Sequence, residues 1–347
     1  MLLKSSGRGR FAVYGVLLLM ALLAPALGAY PVFVLKVLCF ALFACAFNLL
    51  IGYTGLLSFG HAAFFGGAGY VAGHAMKQWG LTPELGLLLG TAFAALTGAA
   101  MGALAIRRQG IYFSMITLAL AQMLYFFCLQ APFTGGEDGI QGIPRGKLLG
   151  LLPLDSDLVL YYFVLMVAIA AFALIVRTIH SPFGQILKAI KENEPRAVSL
   201  GYDVDRFKLT AFVLSAALSG LAGSLKALVL GFETLTDVHW SMSGAVILMT
   251  LVGGLGTLTG PIAGAFVVIA LENKLGDAGT FLAGATGIDW FNTLGESVTM
   301  VTGVIFVICV LTFRRGIVGE IIGMAGQLQA RRRPSAPSHR SHLVDRG

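Results

Sequence analysis

Apolar runs long enough to enter or cross a lipid bilayer recur ten times along this chain, and that recurrence leaves few folds open. They cover residues 11–29, 31–51, 54–76, 85–106, 111–131, 158–176, 209–231, 242–257, 258–272 and 298–313. A crossing helix needs about 20 mostly apolar residues for a hydrocarbon core of roughly 30 Å. Of the 347 residues 57% are hydrophobic and 12% charged, against about 45–50% and about 25% in soluble domains. The expected fold is an all-α integral membrane protein of about ten transmembrane helices. The runs 242–257 and 258–272 are short and rich in glycine and threonine, so they read either as two crossings or as one re-entrant pair.

Ten crossings place both termini on one side, and charge says which. With the N-terminus in the cytoplasm, 18 of the 24 Lys and Arg residues fall on cytoplasmic segments and four, Lys77, Arg145, Lys147 and Lys274, outside. Lys36 and Lys226 lie within runs near their outer ends and are expected to snorkel. The asymmetry follows the positive-inside rule. The net charge of +7 therefore reflects membrane topology, since no basic stripe suited to nucleic acid is present. The resulting division is a cytoplasmic N-terminus over 1–10, a transmembrane domain over 11–315 and a cytoplasmic tail over 316–347 whose end is expected to be disordered. Lys4, Arg8 and Arg10 ahead of the run from Phe11 imitate a secretory signal; the many later runs make a retained first span the expected reading. Cys39, Cys45, Cys128 and Cys309 all lie in apolar runs without metal-ligand spacing, so they read as small apolar residues.

One polar interruption stands out. The stretch "SPFGQILKAIKENEPRAVSLGYDVDRF", 181–207, carries eight charged residues in twenty-seven. Ser181 and Pro182 supply a helix start, and Phe183, Ile186, Leu187 and Ile190 recur at helical spacing. Pro195 ends or restarts that helix, and Gly201 is placed to end a second short piece. The expectation is two short amphipathic helices on the cytoplasmic surface. Their charges nearly balance in sign, which suits a protein dock better than a lipid anchor; on these grounds alone a dock and a plain covering loop stay equally open.

The core "E-x-x-A-x-x-x-G" formed by Glu194, Ala197 and Gly201, with Arg196 inside it, is followed by a span with small residues at Ser215, Ser219 and Gly223. This region resembles the coupling region of the LivM-type permease subunits of branched-chain amino acid importers of the ABC class. "NLLIGYTGLLSFGHAAFFGGAGYVAG" (48–73), "TGGEDGIQGIP" (134–144) and "LVGGLGTLTGPIAGAFVVIALEN" (251–273) resemble the same family in the same order, so the likeness covers about 31–315. Pro195 departs from the family pattern and puts the continuity of the coupling helix in question. The resemblance implies a cytoplasmic coupling loop, 178–208, that inserts into a separate ATPase subunit, with Lys188, Glu192, Glu194, Arg196, Ala197 and Gly201 as its contacts. It also implies a homologous second permease subunit, and a periplasmic binding protein that delivers substrate near the loop 132–157, where Glu137 and Asp138 form an acidic turn. ATP would be bound by the partner subunits, with no cofactor and no metal in this chain, and the location would be the bacterial inner membrane.

Two glycine-broken segments are candidates for the substrate pathway: Gly55, Ser58, Gly60 and His61 in the first, and Gly254, Gly256, Thr257 and Gly260 in the second. Transporters often bind substrate at broken helices in corresponding places of two repeats. These segments fall in the third and eighth spans, as expected for two inverted five-helix halves. The alternative is that the glycines only allow close helix packing. His61, an ionisable group deep in an apolar run, reads equally as a functional group or as a neutral hydrogen-bonded core residue.

No GxxxxGK[ST] loop, HExxH or GxSxG motif occurs, so neither an ATP site nor a hydrolase site is indicated. The interiors of the expected spans hold no Asp or Glu, and Glu272 stands at a span edge. Ion-coupled secondary transporters usually keep such acids. The reading is a permease subunit without catalytic residues, carrying branched-chain amino acids with energy from a separate ATPase. A permease for urea or another small polar solute and an ion-coupled secondary transporter are the alternatives.

Overall fold

A computed structural model describes residues 30–286 except Leu149 and Leu151, together with Gly15, 19–23, Pro25 and positions 303, 304, 307, 316, 317 and 320. The expected spans 11–29 and 298–313, the terminal segments 1–10 and 316–347, and Cys309 therefore lie wholly or largely outside the described residues. Among the described residues eleven helices follow one another: α1 (Pro31–Thr54), α2 (His61–Lys77), α3 (Pro83–Ala105), α4 (Ile111–Gln130), α5 (Asp157–His180), α6 (Pro182–Glu192), α7 (Glu194–Ser199), α8 (Val204–Leu230), α9 (Leu235–Val238), α10 (Trp240–Gly253) and α11 (Gly260–Thr286). Five of them, α1, α3, α4, α5 and α8, are long and apolar enough to cross a membrane. The chain is a multi-pass helical membrane protein.

Burial sorts these five. The most apolar stretch of α1 is 78% buried and that of α8 72%, against 33%, 22% and 39% for α3, α4 and α5. The first two form the central axis, and the others present large apolar side chains such as Leu96, Met123 and Met166 outward, as a lipid-facing surface requires. Between helices in lipid, association rests on close van der Waals packing rather than on a hydrophobic drive. Accordingly the face of α8 toward α2 and α3 is built from small residues. Ala216 meets Gly98, Gly220 meets Ala94, and a Cβ on Gly223 would fall on the Phe65 carbonyl. Ser224 donates its hydroxyl to the Ala68 carbonyl at 3.3 Å.

Two expectations are corrected, one helix over 54–76 and the snorkelling of Lys226, and one left open is filled in. The third run, 54–76, is not one helix: α1 ends at Gly55, which takes a left-handed φ of 78°, and α2 starts only at His61. The runs 242–257 and 258–272 become α10 and α11, which pack antiparallel, Gly264 against the Met249 carbonyl and Gly253 against Gly260. With 14 residues, α10 is about 21 Å long, short of a full crossing. Lys226 does not snorkel. It is 3% exposed and pairs with Glu233 and Asp237, acids that follow the seventh run in sequence yet fold back into the interior along α2. Lys36 in α1, half-buried, lies 3.9 Å from Glu272, and Glu272 stands inside α11, which runs on to Thr286.

The loop 132–157 holds two one-turn 3-10 pieces, Pro132–Thr134 and Gly136–Asp138, and the strands β1 (Ile140–Gln141), β2 (Lys147–Leu148) and β3 (Leu152–Pro153). β2 pairs with β3, and β1 pairs antiparallel with β4 (Phe232–Glu233), Ile140 opposite Glu233. Glu137 and Asp138 are exposed. Cys39, Cys45 and Cys128 are free and buried.

Backbone contact at Gly223 sets a clear expectation. Gly223→Val should destabilise the folded protein by about 3 kcal/mol or more, since an overpacked core costs about 1–3 kcal/mol and backbone cannot yield as a side chain does. Gly244→Val, with nothing within 4 Å of its Cβ, should stay within about 0.5 kcal/mol. Melting of the detergent-solubilised variants reads the difference.

Candidate functional site

The polar stretch 181–207 folds into α6 and α7. Ser181 Oγ accepts from the Gly184 N–H at 3.3 Å, with Pro182 opening the helix. α6 stops at Asn193, whose backbone is extended (φ −158°, ψ 93°) and whose side chain accepts from the Arg196 N–H at 3.0 Å. Pro195 thus sits in the first turn of α7, where a missing N–H costs nothing; it restarts the helix rather than disrupting it. α7 ends in a Schellman turn: Gly201 N–H donates to the Val198 carbonyl at 2.9 Å and Tyr202 N–H to that of Ala197 at 3.2 Å. Gly201 has φ 86°, a conformation that side chains with a Cβ resist.

The loop has its own small core of Ile190, Ala197 and Val204, with Ile186 and Phe207 against it. Glu192 and Arg196 are exposed beside Val198, Leu200 and Tyr202, a surface of mixed charge and apolar knobs. Glu194 turns inward. Its Oε1 accepts from Lys208 Nζ at 2.6 Å and from Gln109 Nε2 at 2.9 Å, which fastens α7 to the start of α8 and to the α3–α4 connection.

α6 also reaches inward, to the last turn of α1. Lys191 Nζ donates to the Gly52 carbonyl at 2.7 Å, a cation on a helix C-terminus and hence favourable; burial lowers its pKa from the ordinary lysine value. Lys188 Nζ lies 5.6 Å from the centre of the Tyr53 ring. Tyr53 in turn donates its hydroxyl to the Gly256 carbonyl at 3.1 Å. Five residues earlier Asn48, 3% exposed, grips the same break with both ends of its amide. Nδ2 donates to the Thr257 carbonyl and Oδ1 accepts from the Gly256 N–H, each at 2.9 Å. Thr257 closes the break by donating to the Gly254 carbonyl at 2.8 Å and accepting from the Gly260 N–H at 3.1 Å.

The first break, 55–60, is held in the same manner. Ser114 donates to the Leu57 carbonyl at 2.6 Å, the Phe59 N–H donates to Thr117 Oγ1 at 3.2 Å, and Ser58 Oγ accepts from the Gly60 N–H at 3.1 Å. Ser243 of α10 accepts from the Ala62 N–H and donates to the Phe59 carbonyl. Irregular backbone inside a membrane protein is tolerated only when satisfied in this way. Gly55, Ser58 and Gly60 therefore lead from the last turn of α1 into α2, while Gly254, Gly256, Thr257 and Gly260 fold against that same turn from about 200 residues away. His61, fully buried, bonds Ser215 at 2.9 Å through Nε2. The rings of Phe47, Phe64 and Phe212 surround it edge-on.

A family model described as "branched-chain amino acid transport system / permease component" matches residues 32–313. The chain belongs to this family. Among its relatives, the high-affinity branched-chain amino acid transport system permease protein LivM of Escherichia coli (strain K12) is 28% identical over 258 residues, 66% of this chain and 60% of that protein. A probable branched-chain amino acid transport permease protein LivM of Methanocaldococcus jannaschii is 24% identical over 194 residues, 54% of this chain and 55% of that protein. The autoinducer 2 import system permease protein LsrC of Klebsiella pneumoniae subsp. pneumoniae is 28% identical over 195 residues, 53% of each. The alignments thus span less than two thirds of these relatives' lengths. Among solved structures, PsaBC from Streptococcus pneumoniae in complex with Fab gives a TM-score of 0.39 at 15% identity, over 88% of this chain and 99% of that one, too low for a fold assignment.

Within this permease family member, sequence reasoning passed over Asn48, Tyr53 and Lys191, which join α6 to the break. Asn48 had a signal, a lone amide in the apolar run 31–51; its partners did not, because Gly256 and Thr257 contribute only backbone atoms to it. Asn48→Leu leaves those two backbone groups unpaired and should cost about 2–4 kcal/mol, read as a lower melting temperature. Gly201→Ala and Asn193→Ala should each loosen α7 by about 1 kcal/mol, read as faster amide exchange over 194–202 with little change in the spanning helices.

Proposed function

We propose that this chain is the membrane-spanning permease subunit of an ABC importer for branched-chain amino acids in the bacterial inner membrane. The observation that carries the mechanism is the connection from α6 through Lys191 and Tyr53 to the break at 254–259. A separate ATPase subunit docks on 178–208, where Glu192, Arg196, Val198, Leu200 and Tyr202 are exposed and Ala197 and Gly201 set the shape. Lys188 and Glu194 act from beneath, toward Tyr53 and Lys208. A displacement of α6 is passed to the last turn of α1 and so to both breaks, which border the substrate pathway. Family membership and the 18-to-4 distribution of basic residues support a cytoplasmic position for this loop and both termini. A homologous second permease completes the pathway, a binding protein delivers substrate on the face of 132–157, and ATP stays with the partner subunits. Ten crossings in two inverted halves belong to the same proposal, supported by the pattern of apolar runs and the two breaks.

The likeness to LsrC, an autoinducer 2 permease, favours one second reading, a permease for another small polar solute. The ion-coupled transporter draws no support from the family, although acid count alone no longer argues against it, because Glu233 and Asp237 are buried.

Two measurements test the proposal. An ATPase subunit should co-purify with the wild-type chain from its native membrane and be lost from Gly201→Asp and Ala197→Arg at equal expression. Proteoliposomes of the complex should accumulate labelled leucine with ATP and binding protein. Lys191→Met should keep the ATPase subunit bound yet lower uptake about tenfold or more, the equivalent of one charge-assisted hydrogen bond. Accumulation driven by an ion gradient without ATP would sink the importer reading, and autoinducer 2 uptake without leucine uptake would shift the substrate.

A further inference from the structure

The end of the bundle away from α6 buries a cluster that the transport reading does not use. Lys226, near the C-terminal end of α8, donates to Glu233 Oε2 at 3.2 Å and to Asp237 Oδ2. The three residues are 3%, 0% and 5% exposed. The segment that carries the acids lies along α2, with Asp237 and Val238 against Gly66, and Glu233 against Gly69, where a Cβ would come within 2.5–2.8 Å of the carboxyl atoms.

The two carboxyls are unequally supplied. Asp237 Oδ2 also accepts from the Thr234 N–H at 3.1 Å and the Thr234 hydroxyl at 2.7 Å. Glu233 has Lys226 alone; its Oε1 has no hydrogen-bond partner among the described residues. Tyr70 is the independent sign that something binds here. It follows Gly69 on α2, is 1% exposed, and its hydroxyl within electrostatic reach of Glu233 and Asp237 also lacks a partner among the described residues. One cation against two ionised carboxylates leaves a net negative charge out of contact with water, a situation that proteins relieve by protonation.

We infer that Lys226, Glu233, Asp237 and Tyr70 form a proton-binding site, with one proton resident on Glu233 while the segment 232–238 lies against α2. The proton enters from solvent as a carboxylate becomes a carboxyl, so no other reactant is needed. Burial pushes the Glu233 carboxyl well above the ordinary carboxylate range, against the opposing pull of Lys226. The groups that face it are Lys226 from α8, Asp237 and Thr234 from the α9 turn, Tyr70 from α2, and Cys128 from α4; β1, Ile140–Gln141, brings no titratable group. Because the folded protein holds this proton more tightly than the unfolded chain, seating of the segment is favoured at low pH and weakens as pH rises through the raised value.

Infrared difference spectroscopy on the full-length chain, purified with its co-purifying subunits at neutral pH, reads the proton directly. A protonated carboxyl has a carbonyl band that shifts in heavy water and that a carboxylate lacks. Glu233→Gln, nearly isosteric, should remove one such band. Asp237→Asn removes the excess negative charge and should also remove it, although Glu233 remains. Lys226→Met should add a second band if it folds. Melting gives an independent readout: raising the pH upward from the ordinary carboxylate range should lower the wild-type melting temperature more than that of Glu233→Gln. Identical carboxyl bands in wild type, Glu233→Gln and Asp237→Asn would overturn the inference. So would a wild type without the band, stabilised by sodium or potassium in a way that Glu233→Gln abolishes, which would assign the site to a metal cation.

Discussion

The amide of Asn48 is the interaction on which the arrangement turns. Backbone at a helix break exposes N–H and C=O groups that lipid cannot satisfy, so a break can exist inside the protein only where side chains take the place of water. Asn48 meets one donor and one acceptor of the break at 254–259 at once, Gly256 N–H and the Thr257 carbonyl. That fixes the distance between the last turn of α1 and the α10–α11 hairpin. Tyr53 on the same helix repeats the grip from one turn further on. The hydroxyls of Ser114, Thr117 and Ser243 hold the other break, 55–60, by the same physics.

Because both breaks are anchored on one helix end, whatever moves that end moves both. The contact from α6 arrives there. Lys191 on the Gly52 carbonyl combines a charge-assisted hydrogen bond with the field of the helix terminus. Glu194 ties α7 to Lys208, itself 3% exposed, and to Gln109, so α6 and α7 are connected to α1, α8 and the α3–α4 connection.

Much of this was legible in the residues. Apolar runs matched α1, α3, α4, α5 and α8 to within a few residues, because backbone satisfaction in lipid leaves helix as the answer. Ser181, Pro182 and Gly201 marked the ends of α6 and α7 by local capping chemistry. Asn193 was passed over as a cap because Pro195 drew the boundary first, and the two signals lie in the same turn. The start of α2 was misplaced by several residues, since glycine in an apolar run fits a packed helix and a break equally well; Gly55 broke, whereas Gly66, Gly69 and Gly73 stayed helical. Lys226 was read as snorkelling from its place near a span end, a reading that supposed lipid beside it. Its partners Glu233 and Asp237 follow in sequence, but only the fold turns them inward.

Taken alone, the sequence determined the class of the molecule, its apolar runs, the polar interruption at 181–207 and the likeness to a permease family. Each of these is a local or compositional property, set within one span or one helical turn. The tertiary structure decided which glycines pack and which break, which lysines face a carbonyl, a ring or a carboxylate, that residues 48 and 53 meet residue 256, and that Lys191 meets Gly52. Those outcomes depend on contacts between segments up to about 200 residues apart, on backbone atoms that every residue possesses and no sequence pattern displays.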